Sequence, residues 1–365
     1  MDDHSRLDLF TTYTQNSTQP KKKRIYGVRN LKSFLNLPSS KNVKENYDEN
    51  DVLLSMSLKN IEKTVRTDLL KKLMEKDIAA LTELGPSSIG TLMKQSREGE
   101  VIYNTNIESG KYPLTALVVS KEFLDKVEDF VGGSLTQEIS DTVDELEKTM
   151  TIQEIYDIEK HPKDHWVKQR IIDISFNYND KSYLFICIYN SAKSVWAKKK
   201  ILKTIDILYK NHPNEIKIMV GDFNHGNDAN NNMPKSGAAY DVVWKSFLET
   251  ANCLDIGKKF DNWFPTNFHG TTSRDIDKVI VENHFYQNLV SIDLSFDDWG
   301  SHAAINAVFA DNAIEEEFTM SSVNHESIQY LKPKGHSALI KKRLVRMESI
   351  KQVLVKKKMS LKLLV

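Results

Sequence analysis

Apolar residues recur along this chain with two periods, and the changes between them mark out its elements. Val52 to Leu58 (Val-Leu-Leu-Ser-Met-Ser-Leu) reads as a strand. Ile61 to Lys76, with Ile61, Val65, Leu69 and Leu73 at helical spacing, reads as a helix. Asp77 to Glu83 is a short apolar run that ends in a carboxylate, and Leu114 to Ser120 is another strand. From Arg170 the pattern becomes strand-rich: Ile171 to Tyr178 alternates, and Tyr183 to Tyr189 is apolar throughout, as a strand buried on both faces must be. Val195 to Lys210 predicts a helix, and Glu215 to Val220 a strand that ends at Gly221. Ile276 to Glu282, Val290 to Phe296 and Ala303 to Ala310 are further strands. Hairpin-like neighbours mixed with helical crossovers predict a layered α/β fold: a four-layer sandwich of two packed mixed β-sheets flanked by helices.

The regular pattern runs over residues 51–311, one catalytic-sized domain. Within it residues 131–165 are acidic, partly helical around Asp141 to Lys160 and poor in apolar residues, and read as an insertion between strands. Residues 1–50 are polar without a sustained period and read as a disordered basic segment. Residues 312–365 form a basic tail. Part of it, 336–365, reads either as an amphipathic helix (Ile340, Leu344, Met347, Ile350 and Leu354 on one side) or as a solvated tail.

Charge changes this picture. The chain is neutral overall, with 50 basic and 50 acidic residues. Yet residues 332–365 hold 11 Lys or Arg against the single acid Glu348, and residues 1–50 hold nine basic and six acidic residues. The stretch between them is therefore net −13. If the partner is nucleic acid, the basic ends supply much of the long-range attraction. The longest apolar run, Tyr183 to Tyr189, is far too short to span a bilayer, and no membrane association is expected. Cys187 and Cys253 lack a Cys-x-x-Cys partner, so neither a disulfide framework nor a zinc site is implied. Met1-Asp2-Asp3-His4 opens no signal peptide, and Pro20-Lys21-Lys22-Lys23-Arg24 resembles a nuclear localisation signal, which a solvated basic stretch matches equally well. Nuclear or cytoplasmic residence is expected.

The candidate chemistry centres on Gly221-Asp222-Phe223-Asn224. Alternate residues of an extended chain share a face, so Asp222 and Asn224 are expected to enter one cleft while Phe223 anchors the turn. A carboxylate there can deprotonate a water, and a carboxamide N–H can stabilise charge on a phosphate oxygen. All of these residue types also form plain turns. Glu83 at the end of an apolar run, Asp277 inside one and His302 at the start of the last strand complete a set at strand ends, whose hard oxygens suit Mg²⁺ or Mn²⁺.

The order Glu83, Tyr189-Asn190, Gly221-Asp222-Phe223-Asn224, Ser273-Arg274-Asp275-Ile276-Asp277 and Ser301-His302 resembles the endonuclease/exonuclease/phosphatase superfamily, over roughly residues 51–311. Within it the chain looks most like the endonuclease domain of LINE-type non-LTR retrotransposons. There an Ile-Tyr motif precedes a helix and Gly-Asp-Phe-Asn, as Ile188-Tyr189-Asn190-Ser191 does here. The resemblance implies a Mg²⁺- or Mn²⁺-dependent endonuclease that nicks DNA. It implies Glu83 as metal ligand, Asn60 as the asparagine ending the first strand, and Tyr189 on the scissile phosphate. It further implies Asp222 as the activator of water, Asn224 on the phosphate oxygens, and Asp277 orienting His302. No reverse-transcriptase pattern follows residue 311, so the resemblance would make this a truncated or standalone copy.

Lys59 before Asn60, Thr82 before Glu83, and Ser301 where the family has an acid depart from the pattern on the metal side. Asp297 and Asp298 are the nearby candidates to replace that acid. Two other functions stay open at this point: the same fold acting on RNA or small phosphate esters, and a degenerate copy that binds nucleic acid through its basic ends.

Overall fold

The computed structural model describes residues 52–61, 75–95, 99–103, 110–226, 238–259, 266–269, 272–295 and 301–312. The basic N-terminal segment with Pro20–Arg24, most of the helix expected over Ile61 to Lys76, Asp297 and Asp298, and the tail beyond residue 312 lie outside them.

In chain order the elements are β1 (Val52–Asn60), β2 (Ile78–Thr82), α1 (Pro86–Gln95), β3 (Gly99–Tyr103), β4 (Thr115–Ser120), α2 (Lys121–Lys126), β5 (Glu128–Gly132), α3 (Thr136–Glu147) and α4 (Ile152–Lys160). They continue with β6 (Ile171–Tyr178), β7 (Lys181–Tyr189), α5 (Val195–Asn211), β8 (Ile216–Asp222), α6 (Ala238–Thr250), β9 (Cys253–Asp255) and α7 (Ile256–Lys259). Last come β10 (Asn267–His269), β11 (Thr272–Arg274), β12 (Asp277–Glu282), β13 (Leu289–Ser295) and β14 (Ala304–Ala310). One six-stranded sheet has the order β13-β14-β1-β2-β4-β3, the other β5-β6-β7-β8-β12-β9, and β10-β11 is a separate hairpin. β1 and β2 pair in parallel, as do β7 and β8, while the other pairs are antiparallel, so both sheets are mixed.

Strand alternation explains the layering. Tyr183, Phe185 and Cys187 of β7 face a core shared with Leu54, Met56 and Leu58 of β1 on the opposite sheet. Leu184, Ile186 and Ile188 face outward onto α3, α5 and α6, beside Ile139, Ile201, Ile205 and Trp244. On the other sheet, Ala79 and Leu81 of β2 face Ile89 and Leu92 of α1. The result is helix, sheet, sheet, helix: the expected four-layer α/β sandwich. The unbroken apolar run Tyr183 to Tyr189 follows from burial on both faces.

The stretch 131–165 is mixed. α3 buries Ile139, Ser140 and Val143 against the outer core, whereas α4 buries no residue and is held by a Thr151/Glu154 capping box. Among the described residues no helix is long and apolar enough to cross a membrane.

Candidate active site

At one end of the sandwich each column of core-facing apolar residues finishes in a polar one. Leu58 is followed two residues on by Asn60, Cys187 by Tyr189, and Val220 by Asp222, while Asp277 precedes Val279 by the same step. All four polar residues are buried. Asp277 and Asp222 are direct partners in the β12–β8 register, and Tyr189 and Asp222 in the β7–β8 register. The two sheets meet here: Asn60 Nδ2 donates to Asp222 Oδ2 at 3.1 Å.

The Gly-Asp-Phe-Asn segment differs from its expected form. β8 does not end at Gly221 but runs through Asp222. Gly221, at φ +155, lies so close to β7 that a Cβ would sit 1.8 Å from Ile188 O, which excludes any other residue. Asp222 and Asn224 reach the same side through a turn rather than by alternation, because Asn224 is left-handed (φ +47) and its N–H donates to Asp222 Oδ1 at 2.8 Å. Phe223 points away, as expected, into the outer core against Trp244, with ring centroids 5.0 Å apart. The Asn224 amide donates to Asn190 O at 3.0 Å, and Lys198 Nζ donates to Asn224 O at 2.7 Å.

His302 is held from both sides. Its Nδ1 lies 2.7 Å from Asp277 Oδ2, and its Nε2 2.6 Å from Asn267 Nδ2. With the amide so oriented, Nδ1–H donates to Asp277 and Nε2 accepts from Asn267. Asn267 Nδ2 also lies 3.3 Å from Ser301 Oγ, at the position where the family has an acid. Thr266 stitches the segment together: Thr266 Oγ1 accepts from Asp277 N at 3.0 Å, and Thr266 O from Ala303 N at 2.6 Å. Lys59, which departs from the family pattern, is buried and donates to His302 O at 2.6 Å.

Glu83 follows β2 in a left-handed conformation (φ +58) and is half-buried. Glu83, Asp222 and His302 each bring one ligand atom within 4.8 Å of the others. Two ionised carboxylates that close repel by on the order of 3 kcal/mol at an effective dielectric of about 20. Asn60 Oδ1 is buried beside them and takes no hydrogen bond from the described residues. Two carboxylates and a carbonyl oxygen without a donor fit a hard divalent cation.

Tyr189 lies under the Arg170 guanidinium, 4.7 Å from ring centroid to Cζ, and Arg170 Nη1 donates to Tyr189 O at 3.1 Å. Burial, and then the charges of Glu83 and Asp222, push the Tyr189 phenol well above its ordinary pKa, so it stays a protonated donor. Burial lowers the Arg170 pKa, against the pull of Tyr189 and Asp164. Burial would raise the Asp164 carboxyl, but donors from Ser191, Ser194 and Lys193, with Arg170, hold it below its usual value.

All seven residues expected from the sequence thus lie at one end of the sandwich. Arg170, Lys198, Thr266 and Asn267 were missed. Lys198, which opens the run Lys198-Lys199-Lys200, and Arg170 carry no local signal, since a basic side chain in a polar stretch reads as solvated. Thr266 and Asn267 are common loop residue types and read as an ordinary turn.

Neither a protein-family model nor a curated relative matches the sequence. Among solved structures, an AP endonuclease from Leishmania major superposes with a TM-score of 0.53 at 8% identity, over 78% of this chain and 100% of that one. The endonuclease domain of TRAS1, a telomere-specific non-LTR retrotransposon, gives 0.49 at 12% identity over 70% and 98% of the two chains. A 3'-5' exonuclease from Neisseria meningitidis gives 0.48 at 14% identity over 70% and 100%. The first of these, with the two-sheet topology, shows that the chain has the endonuclease/exonuclease/phosphatase fold.

Proposed function

We propose that this chain is a divalent-metal-dependent phosphodiesterase that cuts the DNA backbone as a nicking endonuclease of the retroelement type. One observation supports this reading above the others. Glu83, Asp222 and His302 lie within 4.8 Å of one another, with Asp277 bound to the imidazole at 2.7 Å.

In this reading Asp222 orients a water and takes its proton as the water oxygen bonds to phosphorus. One bridging P–O bond breaks, leaving a phosphate monoester and an alcohol oxygen that is protonated from solvent. Asn224, fixed by Asn190 and Lys198, donates to a phosphoryl oxygen, and the Tyr189 hydroxyl donates to another. Asp277 fixes the tautomer of His302, so that its far nitrogen faces the phosphate side. Asn267 already occupies that nitrogen, so the substrate must either displace the amide or be held by it. Mg²⁺ or Mn²⁺ on Glu83, Asp222 and Asn60 would neutralise charge on the phosphate and on the leaving oxygen.

Incubation of supercoiled plasmid with the protein and millimolar Mg²⁺ or Mn²⁺ is expected to yield nicked circles. Asp222→Ala should lower the rate at least a hundredfold. Failure of the wild-type protein to cleave any DNA under these conditions would overturn the reading.

A further inference from the structure

Two segments extend past the ends of β4 and β6 on the active-site side. β4 pairs Thr115 with Thr82, next to Glu83, and β6 pairs Ile171 with Ile188, next to Tyr189. Backbone hydrogen bonds run across this rim: Leu84 N to Leu114 O at 3.1 Å, Leu114 N to Gln169 O at 2.9 Å, and Tyr189 N to Arg170 O at 2.8 Å. Arg170, which covers Tyr189, also donates to Lys163 O at 2.9 Å.

On this rim Tyr112 and Trp166 meet edge to face, with centroids 5.4 Å apart and planes at 89°, and both rings are half-buried. Lys163 is exposed, and its Nζ lies 5.7 Å from the Tyr112 centroid and 5.9 Å from that of Trp166. No carboxylate among the described residues pairs with it, although residues 51–331 are net −13. Two perpendicular rings with an unneutralised ammonium beside a phosphate-cleaving site suit a ligand with a flat π-face next to an anion. A nucleotide has both.

We propose that Tyr112, Trp166 and Lys163 form a nucleotide subsite beside the scissile phosphate, in which an unpaired base stacks on the aromatic pair and Lys163 holds its phosphate. The proposal rests on the phosphodiesterase reading above. A base inside a duplex has both faces covered by its neighbours, so the subsite selects DNA that is single-stranded or opened next to the cut. Base-on-aromatic stacking contributes roughly 1–3 kcal/mol per base, which is about a 5- to 150-fold change in affinity.

The test uses the full chain carrying Asp222→Ala, so that labelled single-stranded DNA is bound without being cut. A single abasic position is walked along the strand and affinity is read by fluorescence anisotropy. One position should lose about tenfold in affinity. That loss should vanish when Tyr112→Ala is added and persist with Tyr112→Phe, which keeps the stacking face and controls for folding. Lys163→Ala should reduce the slope of log affinity against log salt by about 0.7, one phosphate contact on a single strand. A flat walk, a position-specific loss that survives Tyr112→Ala, or no binding of the strand at all overturns the subsite. If plasmid is nicked but the walk is flat, only the subsite fails. If the walk shows its position but no DNA is ever cut, the phosphodiesterase reading fails instead.

Discussion

The two sheets contribute unlike halves to the site. On the second sheet, Asp222, Asn224 and Asp277 are 2–4% exposed, and each is tied to a neighbouring strand or loop by hydrogen bonds of 3.0 Å or less. On the first sheet, Glu83 is half-buried at the end of a strand, and Asn60 keeps a buried carbonyl oxygen without a donor. The second-sheet half, finished but for Asp277 Oδ1, which is buried without a hydrogen-bond partner among the described residues, is suited to hold the proposed catalytic groups at fixed angles as charge develops. The unfinished half holds oxygens that suit the cation proposed above. Departures from the family pattern at Lys59, Thr82 and Ser301 fall on that side, where a cation can absorb small displacements that a bound carboxamide cannot.

The largest effect should come from the finished half. Lys198→Met leaves the buried Asn224 carbonyl without its 2.7 Å donor. The expected cost is about 1–3 kcal/mol in urea unfolding, with turnover lower by roughly tenfold, while the concentration of cation needed for half-maximal rate is unchanged. A shift in that concentration instead would erase the distinction between the halves. Asn60→Leu should act on the cation instead. It too should cost about 1–3 kcal/mol without metal, because buried Asp222 Oδ2 loses its 3.1 Å donor. In addition, the rise in Tm that millimolar Mn²⁺ gives the wild-type protein should fall by half or more. Equal protection of both proteins would show that Asn60 is not part of the cation site.

The smallest effect lies at the opposite end of β8. His212 sits 2.9 Å from Glu138 and 3.1 Å from Glu215. Burial works to lower its pKa, but the two carboxylates outweigh burial and hold it above its ordinary value. A folded-state pKa raised above the unfolded one stabilises fully below about 6.5, and that contribution is lost as pH rises through the raised value. His212→Gln should therefore be less stable than the wild-type protein near pH 6 and approach it near pH 9, with DNA cleavage unaffected at either pH. A pH-independent difference would remove the ion pairs from the account.

Much of the fold was legible in the chain. β6, β7, α5, β12 and β14 lie within a few residues of where periodicity puts them, because each buries a regular face. α1, β3, β5 and α6 carried no signal that was read. β5 is almost wholly exposed, with Phe130 alone in it half-buried, so no apolar alternation marks it. Of the site, the acids and His302 were legible because Asp, Asn and His at the ends of apolar strands are anomalies in sequence. Asn267 was not, since an asparagine after a threonine in a loop looks like any turn residue.

The sequence by itself determined which residues could do chemistry and which strands would carry them to one end of a sandwich. Both are local properties of residue type and of the twofold period of an extended chain. Only the tertiary structure decided that Asn224 reaches the cleft through a left-handed turn and that Lys198 pins that turn. It also decided that Asn267 holds the far nitrogen of His302, and that Asn60 faces Asp222 from the opposite sheet. These contacts join residues 26 to 162 positions apart, and distances of that kind are set by how sheets and helices pack, which no local pattern encodes.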